Sequence, residues 1–352
     1  MSERPKEPIV VCLGYPAVQA PRHLEQLRKI DPRIEPIALP VDPGGGWLTA
    51  APGEPFDEPP PWATGVAEER RTALSRAEVL IALQISKDLM TQCPSLRWLQ
   101  GIGAGVEQFA KAGVSQDRVI VTNASGLSAN SMAEFVIGRL LEIWKRFREA
   151  EQHQRDHQYI QTYGRTLAGS TLGIVGLGSI GNAIAERASA LGVRVLGLRR
   201  SHRPGASSEH TSELYGPEQL HEMLGRCDAI VLAAPATDET FHLIDAKALA
   251  VLPKGAVLVN VARGSLVDES ALIDALQSGQ LGAAALDVFE TEPLPDDSPL
   301  WELPNLYLSA HSSVSTDRYV EDIFELFADN LARYVRGDSL RNQVDMAMLG
   351  FA

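Results

Sequence analysis

Two hydrophobic rhythms alternate along the chain. Short apolar runs read as strands at 9–14, 34–39, 77–83, 96–102, 119–124, 193–198, 229–234, 256–262, 283–289 and 306–310. Between them, apolar residues return every third or fourth position, as in helices. One such segment is 23–30. A longer one puts Met132, Val136, Leu140, Trp144 and Phe147 on one face, with Ser131 and Glu134 placed for a capping box. The last, about 316–336, carries Tyr319, Ile323, Phe327, Leu331 and Tyr334 and is stopped by Gly337. Strands alternating with helices predict an α/β fold built on parallel sheets. The stretch 40–62 is too rich in Pro and Gly for regular structure and reads as a loop, a disordered segment or an arm. The chain has no internal repeat.

Composition narrows the class. With 352 residues there is room for two domains with separate cores. The chain is 45% hydrophobic and 22% charged, as in ordinary soluble globular proteins. No apolar run approaches the ~20 residues of a membrane span. The polar start and short apolar run that follows it do not fit a signal peptide. Cys12, Cys93 and Cys227 lie far apart without metal-ligand spacing. They suit free thiols in a reducing cytoplasm, and no metal site is expected. A net charge of −13 opposes binding to nucleic acid.

Chemistry first enters at TLGIVGLGSIG, residues 171–181. An apolar strand leads into Gly176, Gly178 and Gly181, and an Ala-rich helix follows. Glycines allow a tight turn and close backbone approach, and the helix N-terminus offers N–H groups to a pyrophosphate. With a strand before and a helix after, this is a dinucleotide-binding turn. The next strand should end at an acid for the ribose 2′-hydroxyl. Instead Arg199 stands there, 23 positions beyond Gly176, followed by Arg200, Ser201, His202 and Arg203. Two readings fit: a solvated basic loop, or a fork of guanidiniums for a 2′-phosphate.

Three later positions follow strand ends, where ligands bind in open α/β sheets. They are Arg263 in VLVNVARGSLVDESAL, Glu292 in ALDVFETEPLP and His311 after LYLSA. Singly, each has a plain structural reading: a helix cap, a surface acid, a core-edge histidine. Together they suit carbonyl reduction. The histidine delivers a proton to the carbonyl oxygen, the carboxylate stabilises the imidazolium, and the arginine holds a substrate carboxylate.

With these motifs, and with NQVD at 342–345, nearly the whole chain resembles the D-2-hydroxyacid dehydrogenase family. The resemblance implies a two-domain fold. A discontinuous, flavodoxin-like substrate domain would comprise 1–127 and 317–352, and a Rossmann-type dinucleotide domain 128–316. It also implies that Arg263, Glu292 and His311 are the catalytic set, with Arg263 binding substrate. In the loop Gly101–Gly105, Ala104 and Gly105 would offer backbone N–H groups to the substrate carboxylate, which accords with a Gly-rich nest as an anion site. Gly176, Gly178, Ser179, Ile180 and Gly181 would hold the pyrophosphate, and Arg199, Arg200 and Ser201 the 2′-phosphate. Ala234, Pro235 and Thr240 would lie by the adenosine half, and Val261, Ala262, Asp287, His311 and Ser313 by the nicotinamide. Members are typically dimers, so a homodimer is implied.

Four features depart from the family pattern. Arg199 replaces the acid of NAD-preferring members, which favours NADP while leaving NAD possible. Ala310 stands where proline often precedes the histidine, and Ser312-Ser313-Val314 replaces a run of smaller residues. The stretch 40–62 has no assignable counterpart. The expected activity is NADPH-dependent reduction of a small 2-oxo acid, of glyoxylate or hydroxypyruvate type, to the D-2-hydroxy acid. A non-catalytic cofactor sensor on the same fold is the alternative, and the Arg–Glu–His set argues against it. Glu292 argues against a formate dehydrogenase; phosphite oxidation is left open. The motifs name neither the substrate nor the physiological direction.

Overall fold

The protein is described from a computed structural model covering residues 7–40, 64–201, 207–314 and 318–346. The stretch 41–63 and His202 and Arg203 fall outside the described residues. The chain divides into two compact units, one of residues 1–127 and 316–352, the other of residues 128–315.

The first unit is built on β1 (Ile9–Leu13), β2 (Ile34–Ala38), β3 (Val79–Ala82), β4 (Trp98–Gly101) and β5 (Ile120–Thr122). They pair in parallel in the order β2-β1-β3-β4-β5. Near-continuous burial of β1, β3 and β4 follows from cover on both faces of the sheet. Pro36 is tolerated because β2 is an edge strand. One face packs on the C-terminal helix Tyr319–Arg336 through Ile323, Phe324, Phe327 and Leu331. Gly337, at φ 79°, ends that helix in the left-handed conformation glycine adopts readily. The two ends of the chain therefore share one core.

The second unit carries β6 (Thr171–Val175), β7 (Arg194–Leu198), β8 (Glu213–Tyr215), β9 (Ala229–Leu232), β10 (Ala256–Asn260), β11 (Leu281–Leu286) and β12 (Leu306–Leu308). Their order is β12-β11-β10-β9-β6-β7-β8, all parallel. The order reverses between β6 and β9, which defines the switch point of a doubly wound Rossmann-type sheet. Both faces are packed, one of them by helices Ala129–Trp144 and Ser179–Ala190. Among the described residues, no helix is long and apolar enough to cross a membrane.

The α/β class read from the pattern holds, with local corrections. The long helix starts at Ala129 without a side-chain cap, so Ser131 lies inside it; its hydroxyl donates to Ser128 O at 3.1 Å. Phe147 leaves the apolar stripe because Arg146, at φ 57°, breaks the helix, and the new helix Phe147–Arg155 leaves Phe147 exposed. Strand β8 and the helix Thr64–Arg76 were not anticipated.

Candidate active site

In a parallel sheet every strand delivers its chain to the same edge. Gly176 follows β6, Arg199 follows β7, Ala234 and Pro235 follow β9, Val261 to Arg263 follow β10, Asp287 follows β11 and His311 follows β12. The tails of the apolar runs, such as Val261-Ala262 and Asp287-Val288-Phe289, stay buried after leaving the ladder and shape this edge.

Three glycines shape the first turn. A Cβ on Gly176, at φ 100°, would stand 2.6 Å from Ala234 N; on Gly181 it would stand 2.0 Å from Gly176 O. Side chains at these positions would push helix Ser179–Ala190 off the strand end. At Gly178 a Cβ would meet no described atom within 4 Å, so that glycine faces open space. Asn182 N closes the first helical bond onto Gly178 O, so the N–H groups of Ile180 and Gly181 have no helical acceptor. This is a cradle that fits a dinucleotide pyrophosphate. At the end of β7, Arg199 is partly buried, and its Nε is buried without a hydrogen-bond partner among the described residues. A buried donor of that kind fits an anionic acceptor. Arg200 and Ser201 are exposed. Thr240 bridges the turn after β9, donating to Pro235 O at 2.8 Å and accepting from Thr237 N at 2.8 Å.

The candidate reactive pair is His311 Nδ1 and Glu292 Oε2, 2.9 Å apart. A carboxylate only accepts, so Nδ1 carries the proton and Nε2 is left for proton exchange. Glu292 Oε1 accepts from Phe289 N at 2.9 Å, which fixes its second oxygen on the histidine. His311 stands at φ 48° because Asp287 folds the chain around itself. The Asp287 carbonyl accepts from His311 N at 2.8 Å; its buried carboxylate accepts from Ser309 Oγ at 2.6 Å, Ser312 N at 2.9 Å and Ser313 N at 3.0 Å. Arg263 opens the turn after β10. Asn260, fully buried, braces that turn by donating to Arg263 O at 2.9 Å and accepting from Ala262 N at 3.0 Å. A Cβ on Gly264 would stand 1.9 Å from the Phe289 carbonyl carbon, so only glycine lets the Arg263 turn pack on the Glu292 loop.

In the other unit, three successive carbonyls of the Gly101–Gly105 loop are engaged. Ile102 O accepts from Tyr319 Oη at 2.7 Å, Gly103 O from Ala124 N at 2.9 Å and Ala104 O from Asn123 Nδ2 at 2.6 Å. Burial pushes the Tyr319 hydroxyl up to about 12, so it stays a donor at neutral pH. In a trans peptide the N–H points opposite the carbonyl. The N–H groups of Gly103, Ala104 and Gly105 therefore turn away from these partners.

The family model for "D-isomer specific 2-hydroxyacid dehydrogenase, NAD binding domain" matches residues 137–313. The chain belongs to the D-isomer specific 2-hydroxyacid dehydrogenase family. A glyoxylate reductase from Thermococcus litoralis is 32% identical over 81% of this chain and 88% of its own length. A D-3-phosphoglycerate dehydrogenase from Methanocaldococcus jannaschii is 33% identical over 81% of this chain; the chain spans only 55% of that longer relative. The crystal structure of an NADPH-dependent glyoxylate/hydroxypyruvate reductase from Sinorhizobium meliloti, in complex with NADP and sulfate, superposes with a TM-score of 0.76 at 27% identity, covering 97% of this chain and 99% of that one. The chain is thus a D-2-hydroxyacid dehydrogenase, an NAD(P)-using oxidoreductase acting on CH–OH groups.

Several residues around the candidate site carry no motif in the sequence. Asn260 and Ser309, polar residues at strand ends, hold the Arg263 carbonyl and the Asp287 carboxylate. His242, Glu269 and Glu290 carried no signal, because their pairing joins positions far apart in sequence.

Proposed function

We propose that this dehydrogenase reduces a small 2-oxo acid, of glyoxylate or hydroxypyruvate type, to its D-2-hydroxy acid, with NADPH preferred over NADH. The observation that carries this reading is the Glu292–His311 pair, 2.9 Å apart at the same sheet edge as the Gly176 turn. When bound, the nicotinamide dinucleotide supplies a hydride for the carbonyl carbon. His311 Nε2 gives its proton to the carbonyl oxygen. Glu292 keeps the Nδ1 proton and the ring orientation throughout, and the neutral imidazole regains a proton from solvent. Arg263 pairs with the substrate carboxylate and polarises the carbonyl. The unit of 1–127 and 316–352 is assigned as the substrate domain, with the Ala104 and Gly105 N–H groups as its anion donors.

Gly176, Gly178, Ser179, Ile180 and Gly181 are assigned to the pyrophosphate, and Ala234, Pro235 and Thr240 to the adenosine half. Val261, Ala262, Asp287 and Ser313 are assigned to the nicotinamide. The buried, unpartnered Arg199 Nε supports the NADPH preference, with Arg200 and Ser201 as outer donors. A homodimer is proposed on the solvent-exposed Tyr159, Ile160 and Tyr163, which a second copy would cover. Its check is sedimentation velocity: a dimer that weakens when these three become serine supports it, and a wild-type monomer rejects it. A cytoplasmic setting is supported by three buried free cysteines.

The test of function is a panel of 2-oxo acids assayed with NADPH and NADH side by side. Turnover with higher kcat/KM for NADPH is expected. Tight cofactor binding with no oxidation of either cofactor across the panel would make the protein a sensor instead.

A further inference from the structure

Behind the Glu292–His311 pair lies a second pair of the same chemistry. His242 Nε2 stands 2.8 Å from Glu290 Oε1. His242 is held at φ 46°, its N–H donating to Ser265 O at 2.8 Å and its ring stacked on Phe241 with centroids 4.0 Å apart. Glu290 is also tied to the first residue of helix Glu269–Gln277 by a reciprocal exchange. Glu290 N donates to Glu269 Oε1 at 2.7 Å, and Glu269 N donates to Glu290 Oε1 at 3.3 Å.

These contacts converge on one stretch of backbone. The Phe289 N–H is the donor that holds Glu292 Oε1. The next N–H, that of Glu290, is held by Glu269. Gly264 packs on the peptide between them, with its virtual Cβ 2.0 Å from Phe289 O and 2.3 Å from Glu290 N. The peptide next to the Glu292 donor is thus gripped by Gly264, by the end of helix Glu269–Gln277 and, through Glu290, by His242. A side chain that orients a reactive pair is only as well placed as the backbone that holds it.

The charges explain why a histidine belongs there. Burial pushes the Glu269 carboxyl above the ordinary carboxylate range; the Glu290 N–H bond lowers it, and the charges of Glu290 and Glu292 raise it further. Three carboxylates therefore crowd one loop. Around His242, its own turn carries Asp238 and Glu239; the Gly264–Leu266 turn and the helix after it carry Arg263, Asp268 and Glu269; the strand-end loop carries Asp287, Glu290 and Glu292. His242 supplies a hydrogen bond to the acid nearest to it.

We propose that His242 and Glu290 are positioning residues of the reaction, a second histidine–glutamate pair that fixes the Phe289–Glu292 loop and so keeps Glu292 on His311. This rests on the reading of Glu292–His311 as the proton-delivering pair, but its test has a readout that needs no turnover. Two-bond ¹H–¹⁵N spectra of the histidine rings, with His311 assigned by its loss in His311→Gln, report the environment of Nδ1. Glu290→Ala and His242→Ala should move the His311 Nδ1 resonance away from its hydrogen-bonded position. Glu290→Gln, which keeps an acceptor for Glu269 N and for His242, should restore it. In steady-state reduction the two alanine variants should lose roughly 10-fold in kcat with KM for the 2-oxo acid changed less than 2-fold. Glu290→Gln should recover most of that loss.

An unmoved His311 resonance in Glu290→Ala would overturn the inference. So would a loss of kcat that glutamine does not rescue, or a loss confined to KM. Failure of the parent reading looks different: the wild type reduces no 2-oxo acid, whatever the ring spectra show.

Discussion

The duties proposed for single residues at the sheet edge are distinct, and each can be removed alone. Replacing His311 by Gln takes away the proposed proton donor while keeping a polar side chain of similar reach. Turnover should fall by roughly 10²–10⁴ with cofactor affinity nearly unchanged, as read by steady-state kinetics beside fluorescence titration; undiminished kcat would remove His311 from the reaction. Asp287 acts through geometry. Its carboxylate accepts from Ser309 Oγ and two successive backbone N–H groups, and an amide cannot replace both oxygens as acceptors. Asp287→Asn should therefore lower kcat with unchanged chemistry at His311 itself; wild-type kinetics would show the clamp to be dispensable. Arg199 is the proposed selector between cofactors. Arg199→Asp removes a buried donor and adds a charge that repels a 2′-phosphate, so the NADPH-to-NADH ratio of kcat/KM should fall by at least about 10-fold. A ratio that barely moves would return Arg199 to the role of a structural loop residue. The motifs marked Glu292, His311 and Arg263 because their residue types and strand-end placement are visible locally. His242 was silent, since a lone histidine in a turn gains meaning only from Glu290, which lies on a different strand-end loop.

Secondary-structure elements were most legible where burial is continuous, and the short β5 and β12 were legible only because apolar residues extend beyond their ladders. The strands β1, β3, β4, β9 and β10 are buried along their whole length and read as apolar runs. Strand β8 is three residues, Glu213–Tyr215, with a charged first residue and one fully buried position, which leaves no pattern to read. Its hold on the sheet edge is partly electrostatic. Glu213 pairs with Arg226 at 2.7 Å and with Arg194, and accepts from the Tyr215 hydroxyl at 2.7 Å. Arg226 first, then Tyr215 and Arg194, hold the Glu213 carboxyl down at about 2, against an ordinary 4.5. A depressed carboxylate contributes stability above its unfolded value and loses it as pH falls through its folded one. Glu213→Gln should therefore destabilise the protein at pH 7, by less at pH 3, and not at all below about pH 2. Because the side chain is 36% exposed, the neutral-pH effect is no more than about 1 kcal/mol. Urea unfolding of both proteins at pH 7 and pH 3 is the check; an equal difference at the two values would mean that packing, not charge, is lost. The false capping box at Ser131 teaches the complementary point. Local polar residues can mimic a helix start, but Ala129 and Met132 are buried, and packing of the helix overrides the cap.

At the scale of the molecule, the two units have separate cores, and their stabilities should separate accordingly. The core of the first unit joins residues from both ends of the chain. Phe327 of the C-terminal helix is fully buried and stacks on Trp98 of β4, with ring centroids 5.2 Å apart. The second unit holds the nicotinamide-binding sheet, matched by the family model over 137–313. A ligand that binds one folded unit stabilises that unit alone, by about 2.7 kcal/mol at a 100-fold excess over Kd. Removing a buried phenyl ring costs about 3–5 kcal/mol where the ring was packed. Differential scanning calorimetry should therefore resolve two transitions. Saturating NADPH should raise the transition of the 128–315 unit and leave the other nearly still. Phe327→Ala should do the reverse, lowering the transition of the first unit while the NADPH-sensitive one stays in place and still responds to cofactor. A single cooperative transition, shifted as a whole by NADPH and by Phe327→Ala alike, would mean that the two cores unfold as one.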